Sequence, residues 1–92
     1  MSFEWDPEKS KANKEKHGID FETAKILWSD DNRVEIHVSY PVEDRWILIG
    51  QKDNKRWTAI FTVRGNAIRI ISVRRSRKKE ADFYEEKSIC KK

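Results

Sequence analysis

The chain has one cysteine, Cys90, and two histidines, His17 and His37. A lone thiol excludes an internal disulfide framework, and so few soft ligands argue against a Cys-based metal site. No Gly-rich phosphate loop, zinc-type ligand spacing or nucleophile elbow occurs. No apolar run is long enough to span a bilayer. The first apolar residues, Phe3 and Trp5, are interrupted by Glu4 and Asp6, which is unlike a signal peptide. These absences lead to the expectation of a cytoplasmic protein with no membrane contact, no metal and no cofactor. Repeats, low-complexity tracts and internal linkers are also missing, so one domain over residues 1–92 is expected.

What is present is charge and aromatic rings. Charged residues make up 39% of the chain, yet four Trp, four Phe and two Tyr are strongly patterned among them, so the chain reads as folded rather than disordered. A domain of this size buries roughly 60–65% of the surface its unfolded chain exposes, enough to fold alone with little margin. The net charge of +4 is uneven: residues 1–31 carry −3 and residues 32–92 carry +7. The densest stretch runs from Arg64 to Lys79, with seven Lys or Arg and no acid. It alternates like a strand and then enters the helical pattern SRKKEADFYEEK. Cations at a helix N-terminus oppose its dipole unless an anion offsets them. A polyanion, and nucleic acid first, is therefore the expected partner of the second half.

The pattern predicts helix, helix, four strands, helix. Phe3-Glu4-Trp5 reads as a short strand or an anchor. Asp6 and Pro7 start a helix that ends at His17 with Gly18 beyond it. Its only apolar residue between Pro7 and Gly18 is Ala12, so it lacks a core stripe. Asp20 caps a second helix over Phe21 to Trp28, ended by the turn Asp30-Asp31-Asn32. Alternation predicts strands at Val34–Tyr40, broken by Pro41, then around Trp46–Ile49, Trp57–Val63 and Ala67–Arg74, with turns at Asp53-Asn54 and Arg64-Gly65-Asn66. On the last strand Ile68 and Ile70 are expected on one face, and Ile71 and Val73 on the other. Ser76 is expected to cap a helix to Lys87, after which the tail frays. The fold class is α+β: two N-terminal helices, a four-stranded antiparallel sheet and a C-terminal helix, with the helices on one face.

Three groups of residues suit chemistry. Lys9, Asn13, Lys16 and His17 share one face of the first helix, where they can grip a phosphate, orient a ribose and move a proton. Asn13 and His17 suit equally a second role, pinning the helix to the sheet while the lysines stay solvated. Arg75, at the strand end, suits stabilisation of a phosphorane-like transition state; otherwise it is a surface arginine paired with Glu80 or Glu85. Glu80 and Tyr84 share a helix face and read as acid–base groups, or as a carboxylate holding an arginine and a buried tyrosine anchoring the helix. Arg64, Arg74, Arg77 and Lys78 are candidate RNA contacts. His37 reads as structural or solvated. Metal-free phosphodiester chemistry would require RNA, whose 2′-OH supplies the nucleophile.

FEWDPEKSKANKEKHGIDFETA resembles the opening motif of the BrnT-type toxins through Trp5-Asp6, Lys9, Asn13, Lys16 to Ile19, Phe21-Glu22 and Ala24. IRIISVRRSRKKEADFYE is similar to that family's strand-to-helix signature through Ile70, Ser72, Arg75, Ser76, Glu80 and Tyr84. DRWILIGQ resembles its second strand, and the likeness spans about residues 3–85. The resemblance implies a RelE-like fold and the toxin half of a type II toxin–antitoxin pair. It implies a metal-independent endoribonuclease that inhibits translation and leaves a 2′,3′-cyclic phosphate. It also implies a BrnA-type antitoxin, commonly two of each chain per complex. Carried onto this chain, it points to His17, Arg75, Glu80 and Tyr84 as catalytic and to Lys9, Asn13 and Lys16 as RNA contacts. A non-catalytic module binding nucleic acid or the ribosome is the alternative. Trp46, Trp57 and Phe83 are candidates for an antitoxin hot spot or for the core.

Overall fold

The computed structural model describes residues 2–39 and 44–90, the last three as backbone only. In chain order the elements are β1 (Ser2–Glu4), α1 (Pro7–His17), α2 (Phe21–Ala24), a 3₁₀ helix (Lys25–Ser29), β2 (Val34–Val38), β3 (Arg45–Lys52), β4 (Lys55–Arg64), β5 (Ala67–Arg75) and α3 (Lys78–Cys90). The α+β class holds, but the sheet has five strands in the order β1-β5-β4-β3-β2. β2 to β5 form an antiparallel meander, and β1 adds to β5 in parallel. The strand expected from Phe3-Glu4-Trp5 thus lies at Ser2–Glu4 and makes the sheet mixed. Tyr40, Pro41 and the end of the tail lie outside the described residues.

α1 begins and ends where its capping residues require. The Asp6 carboxylate accepts from the Glu8 amide at 2.9 Å, Pro7 fills the first turn, and Gly18 adopts φ 80°. That left-handed φ strains residues with a Cβ, which is why glycine stands there. The missing core stripe is replaced by hydrogen bonds. Ser10 Oγ accepts from the Phe21 amide at 2.9 Å. Asn13 Nδ2 donates to Ile19 O at 2.8 Å and Val73 O at 2.9 Å, and its Oδ1 accepts from Val73 N at 3.2 Å.

The second helix is shorter than its apolar pattern suggests. Asp20 caps it through the Thr23 amide at 2.8 Å, but at Lys25 the chain tightens to 3₁₀. The turn presses Leu27 onto Gly50, where an added Cβ would sit 3.2 Å from Leu27 Cβ and Leu27 O. A Cβ at this position would require Leu27 to give by a few tenths of an ångström, so glycine suits the close approach. Ile26 is left 52% exposed.

The Asp53-Asn54 hairpin has positive φ at both residues, the geometry whose twist matches the flanking strands. Between β4 and β5 the register shifts: Phe61 pairs with Ile70, but Ile60 pairs with Ser72. Ile71 is the extra residue of a bulge, and alternation restarts after it. Val73 therefore joins Ile68 and Ile70 in one core cluster, correcting the expectation that it faces away from them.

Cross-strand partners share a face. On the first face lie the rows Trp46–Phe61–Ile70, Leu48–Ala59–Val73 and Gly50–Trp57–Arg75. α1, α2 and the 3₁₀ helix cover them, packing Ile19, Phe21, Ala24 and Leu27 against the sheet. On the second face the row Val34–Ile49–Thr58–Arg74 meets α3, whose Tyr84 and Phe83 pack with Val34, Ile36, Ile47 and Ile49. The helices thus lie on both faces, not one. An odd-even count along a strand separates two faces, but it does not say which helix covers which.

Candidate functional site

The C-terminal end of β5, the start of β4 and the N-terminus of α3 meet at one end of the sheet. Arg56, Arg74, Arg75, Arg77, Lys78 and Lys79 converge there. Adjacent strand residues point to opposite faces, and the two strand-end arginines divide accordingly. Arg74 lies in the row with Thr58, on the α3 side. Its Nη1 and Nη2 donate to Glu80 Oε1 and Oε2 at 2.7 and 2.8 Å, a bidentate pair. Glu80 also accepts from the Arg77 amide at 2.8 Å and from Thr58 Oγ1 at 3.1 Å. The Arg74 hydrogen bonds, helped by the Arg77 amide and opposed by desolvation, hold the Glu80 carboxyl at about 2.

Glu80 thereby does the capping expected of Ser76. The first helical bond runs from the Ala81 amide to Arg77 O, so the cap falls at Arg77, one residue later than the sequence suggests. Glu80 reaches back to the Arg77 amide from the third helical position, as in one half of a capping box. Ser76 instead places its Oγ 2.7 Å from Thr58 Oγ1 and donates its amide to Arg56 O at 2.9 Å.

Arg75 differs in every respect. It is exposed and lies in the row with Trp57, its guanidinium carbon 5.5 Å from the centroid of that ring. Among the described residues it has no carboxylate partner, so the alternative reading of a surface arginine paired with Glu80 or Glu85 does not hold. Glu80 belongs to Arg74, and Glu85 pairs with Arg56. Arg77 and Lys79 are exposed beside it, while Lys78 pairs with Asp82 at 3.2 Å.

Tyr84 is 4% exposed and anchors α3. Its hydroxyl donates to Asp30 Oδ2 at 2.7 Å, and that oxygen also accepts from the Gln51 amide at 2.8 Å. Burial pushes the Asp30 carboxyl up, but the bonds from Tyr84, Asn32 and Gln51 outweigh it and leave it below the ordinary value. The Arg56 guanidinium sits 5.5 Å from the Tyr84 ring centroid.

On α1 the expected polar face divides. Lys9 and Lys16 are exposed and His17 is partly exposed, but Asn13 is 7% exposed with both amide atoms bound to backbone. Asn13 is thus occupied in joining α1 to β5, not in the reach of a ligand. The Val73 that it binds lies two residues before Arg75, and His17 follows Asn13 by one helical turn, about 6 Å. Arg64 ends β4 opposite Ala67, roughly 26 Å from Arg75 measured along β5, and is separated from the cluster. His37 is exposed, 3.2 Å from Asp44. Trp46 and Phe83 are partly buried, whereas Trp57 is 8% exposed and belongs to the core. Among the described residues no three His, Cys, Asp or Glu side chains sit together as metal ligands.

Sequence reasoning passed over Trp57, Thr58 and Arg56 as parts of this cluster. Counting back from the Arg64–Ala67 pair without a bulge puts Trp57 opposite Arg74. The extra residue at Ile71 puts it opposite Arg75.

The small α+β domain thus carries a cationic strand end in which Arg74 is held by Glu80 and Arg75 has no carboxylate partner among the described residues. The chain matches the family described as "Ribonuclease toxin, BrnT, of type II toxin-antitoxin system" over residues 5–80, and it belongs to that family. No curated protein matches it. The family is one of ribonuclease toxins, and a type II system implies an antitoxin partner. No helix among the described residues is long and apolar enough to cross a membrane.

Proposed function

We propose that this chain is a metal-independent endoribonuclease that arrests translation by cutting RNA in the cytoplasm. A ribose 2′-oxygen attacks the adjacent phosphorus, a P–O bond forms, and the bond to the 5′-oxygen breaks, leaving a 2′,3′-cyclic phosphate. The 2′-OH proton leaves to a base, and the departing 5′-oxygen takes one up. Arg75 meets the charge that develops on the phosphoryl oxygens, with Lys9, Lys16, Arg77 and Lys78 along the RNA backbone. The observation that carries this reading is the contrast between Arg74, saturated by Glu80, and Arg75, exposed and without a carboxylate.

His17 carries the proton in this reading. A carboxyl held at about 2, as Glu80 is, makes a weak base at neutral pH. Tyr84 is buried and its hydroxyl engages Asp30. Glu80 and Tyr84 then fasten Arg74 and α3 on the face of the strand end opposite Arg75. A BrnA-type antitoxin restrains the toxin, in an assembly of two copies of each.

The test is induction of this chain alone in a bacterium beside Arg75→Ala and His17→Ala variants, with RNA 5′ ends mapped. Growth arrest with new ends, lost in both variants, supports the reading. Arginine removal should lower cleavage on the order of 10²–10³-fold, the range for loss of one transition-state donor. Arrest without new ends would transfer the chain to the non-catalytic binding reading.

A further inference from the structure

We infer that Trp57 is a positioning residue for Arg75, holding its guanidinium over the indole so that the N–H donors stay directed to a phosphate. The inference rests on the ribonuclease reading of Arg75 and adds what places it. An exposed arginine otherwise samples many rotamers and must be ordered each time a ligand binds. Contact between a guanidinium and a ring restrains the side chain without consuming a hydrogen-bond donor, so all five N–H groups remain for a bidentate oxygen pair. A carboxylate partner would restrain it too, but would occupy those donors, as Glu80 does for Arg74.

Trp57 is itself held. It is 8% exposed, within the core cluster, and in the row with Gly50, onto which Leu27 packs. The buried ring is therefore the wall, and the exposed Arg75 rests against it. Its Nε1 is buried and has no hydrogen-bond partner among the described residues. Replacement by Phe thus loses no hydrogen bond and keeps an aromatic face, whereas Leu keeps the apolar character and removes the face.

The experiment compares purified wild type, Trp57→Phe, Trp57→Leu, Arg75→Ala and Trp57→Leu/Arg75→Ala on one RNA, with cleavage rate, RNA affinity and thermal midpoint measured for each. Trp57→Phe should stay within threefold of wild type in both cleavage and affinity. Trp57→Leu should lower cleavage tenfold or more, mainly in kcat. In the Arg75→Ala background the same Leu change should alter cleavage and affinity by less than twofold, because the group it positions is gone. Equal losses from Trp57→Leu with and without Arg75 would overturn the inference and make Trp57 a packing residue. So would unchanged cleavage by Trp57→Leu beside an active wild type. An inactive wild type would instead sink the ribonuclease reading, and in that case the affinity cycle still decides whether Trp57 acts through Arg75.

Discussion

Under α1 and α2 the sheet is sealed by apolar side chains: Phe21, Leu27, Leu48, Ala59, Phe61, Ile70 and Val73 are each at most 2% exposed. Under α3 the apolar contact is smaller, built on Val34, Ile49 and Tyr84, and much of the attachment is ionic and hydrogen-bonded through Arg74, Glu80, Thr58, Asp30 and Arg56. The first face makes the domain stable, whereas the second holds a highly charged helix beside a charged strand end. Attachment by ion pairs suits that task, because it neutralises the cations the site does not use and leaves Arg75 as it is. The difference also shows where the domain can be loosened without unfolding.

Asn13 is where the more stable face depends on one polar side chain. Asn13→Ala strands two carbonyls and one amide in the interior and should cost about 3 kcal/mol in urea unfolding. A loss under 1 kcal/mol would mean that α1 is fastened elsewhere.

Glu80→Gln breaks the more polar face and should cost about 2 kcal/mol, since it leaves Arg74 partly buried without its charge partner. The same carboxylate predicts a pH dependence. Its folded value of about 2 lies below the ordinary 4.5, so the stability it contributes is complete above that ordinary value and is lost as pH falls towards 2. Asp30 acts in the same direction. Thermal midpoints followed through that acid window should fall less steeply for Glu80→Gln than for wild type. Parallel curves would remove Glu80 as the source.

Tyr84→Phe takes one hydrogen bond from the α3 attachment and should cost about 1 kcal/mol by the same measurement. Arg75→Ala should change stability by about 0.5 kcal/mol or less, because only the ring contact is lost. Set beside its expected loss of cleavage, that small number is the sharpest form of the comparison: the residue that matters least to the fold should matter most to the chemistry.

Much of this was legible in the residues. Asp6, Pro7 and Gly18 give α1 its ends, and Asp53-Asn54 gives the hairpin, because capping and turn chemistry act over a few neighbouring positions. Arg75 was singled out for its place at the strand end. The rest depended on register, which local pattern does not fix. Phe3-Glu4-Trp5 reads as a short strand or an anchor, but nothing local says that it joins the sheet, because its partner lies some 65 positions away. The shared helical face of Lys9, Asn13, Lys16 and His17 is real, but spacing cannot tell whether an amide on it meets water or a backbone. The choice of Glu80 by Arg74 rather than Arg75 is a matter of which face each arginine takes.

The extra residue at Ile71 bears on how such a chain tolerates insertion and deletion. Losing Ile71 would straighten β5 and leave Trp57 opposite Arg75 and Thr58 opposite Arg74, because the residues after it already pair as if it were absent. Removing Val73 instead would move Arg75 opposite Thr58, where Arg74 now sits, and bring Ser76 opposite Trp57, so that no arginine occupies the place of the exposed one. Length can therefore drift at one position of this strand without touching the site, and almost nowhere else on it.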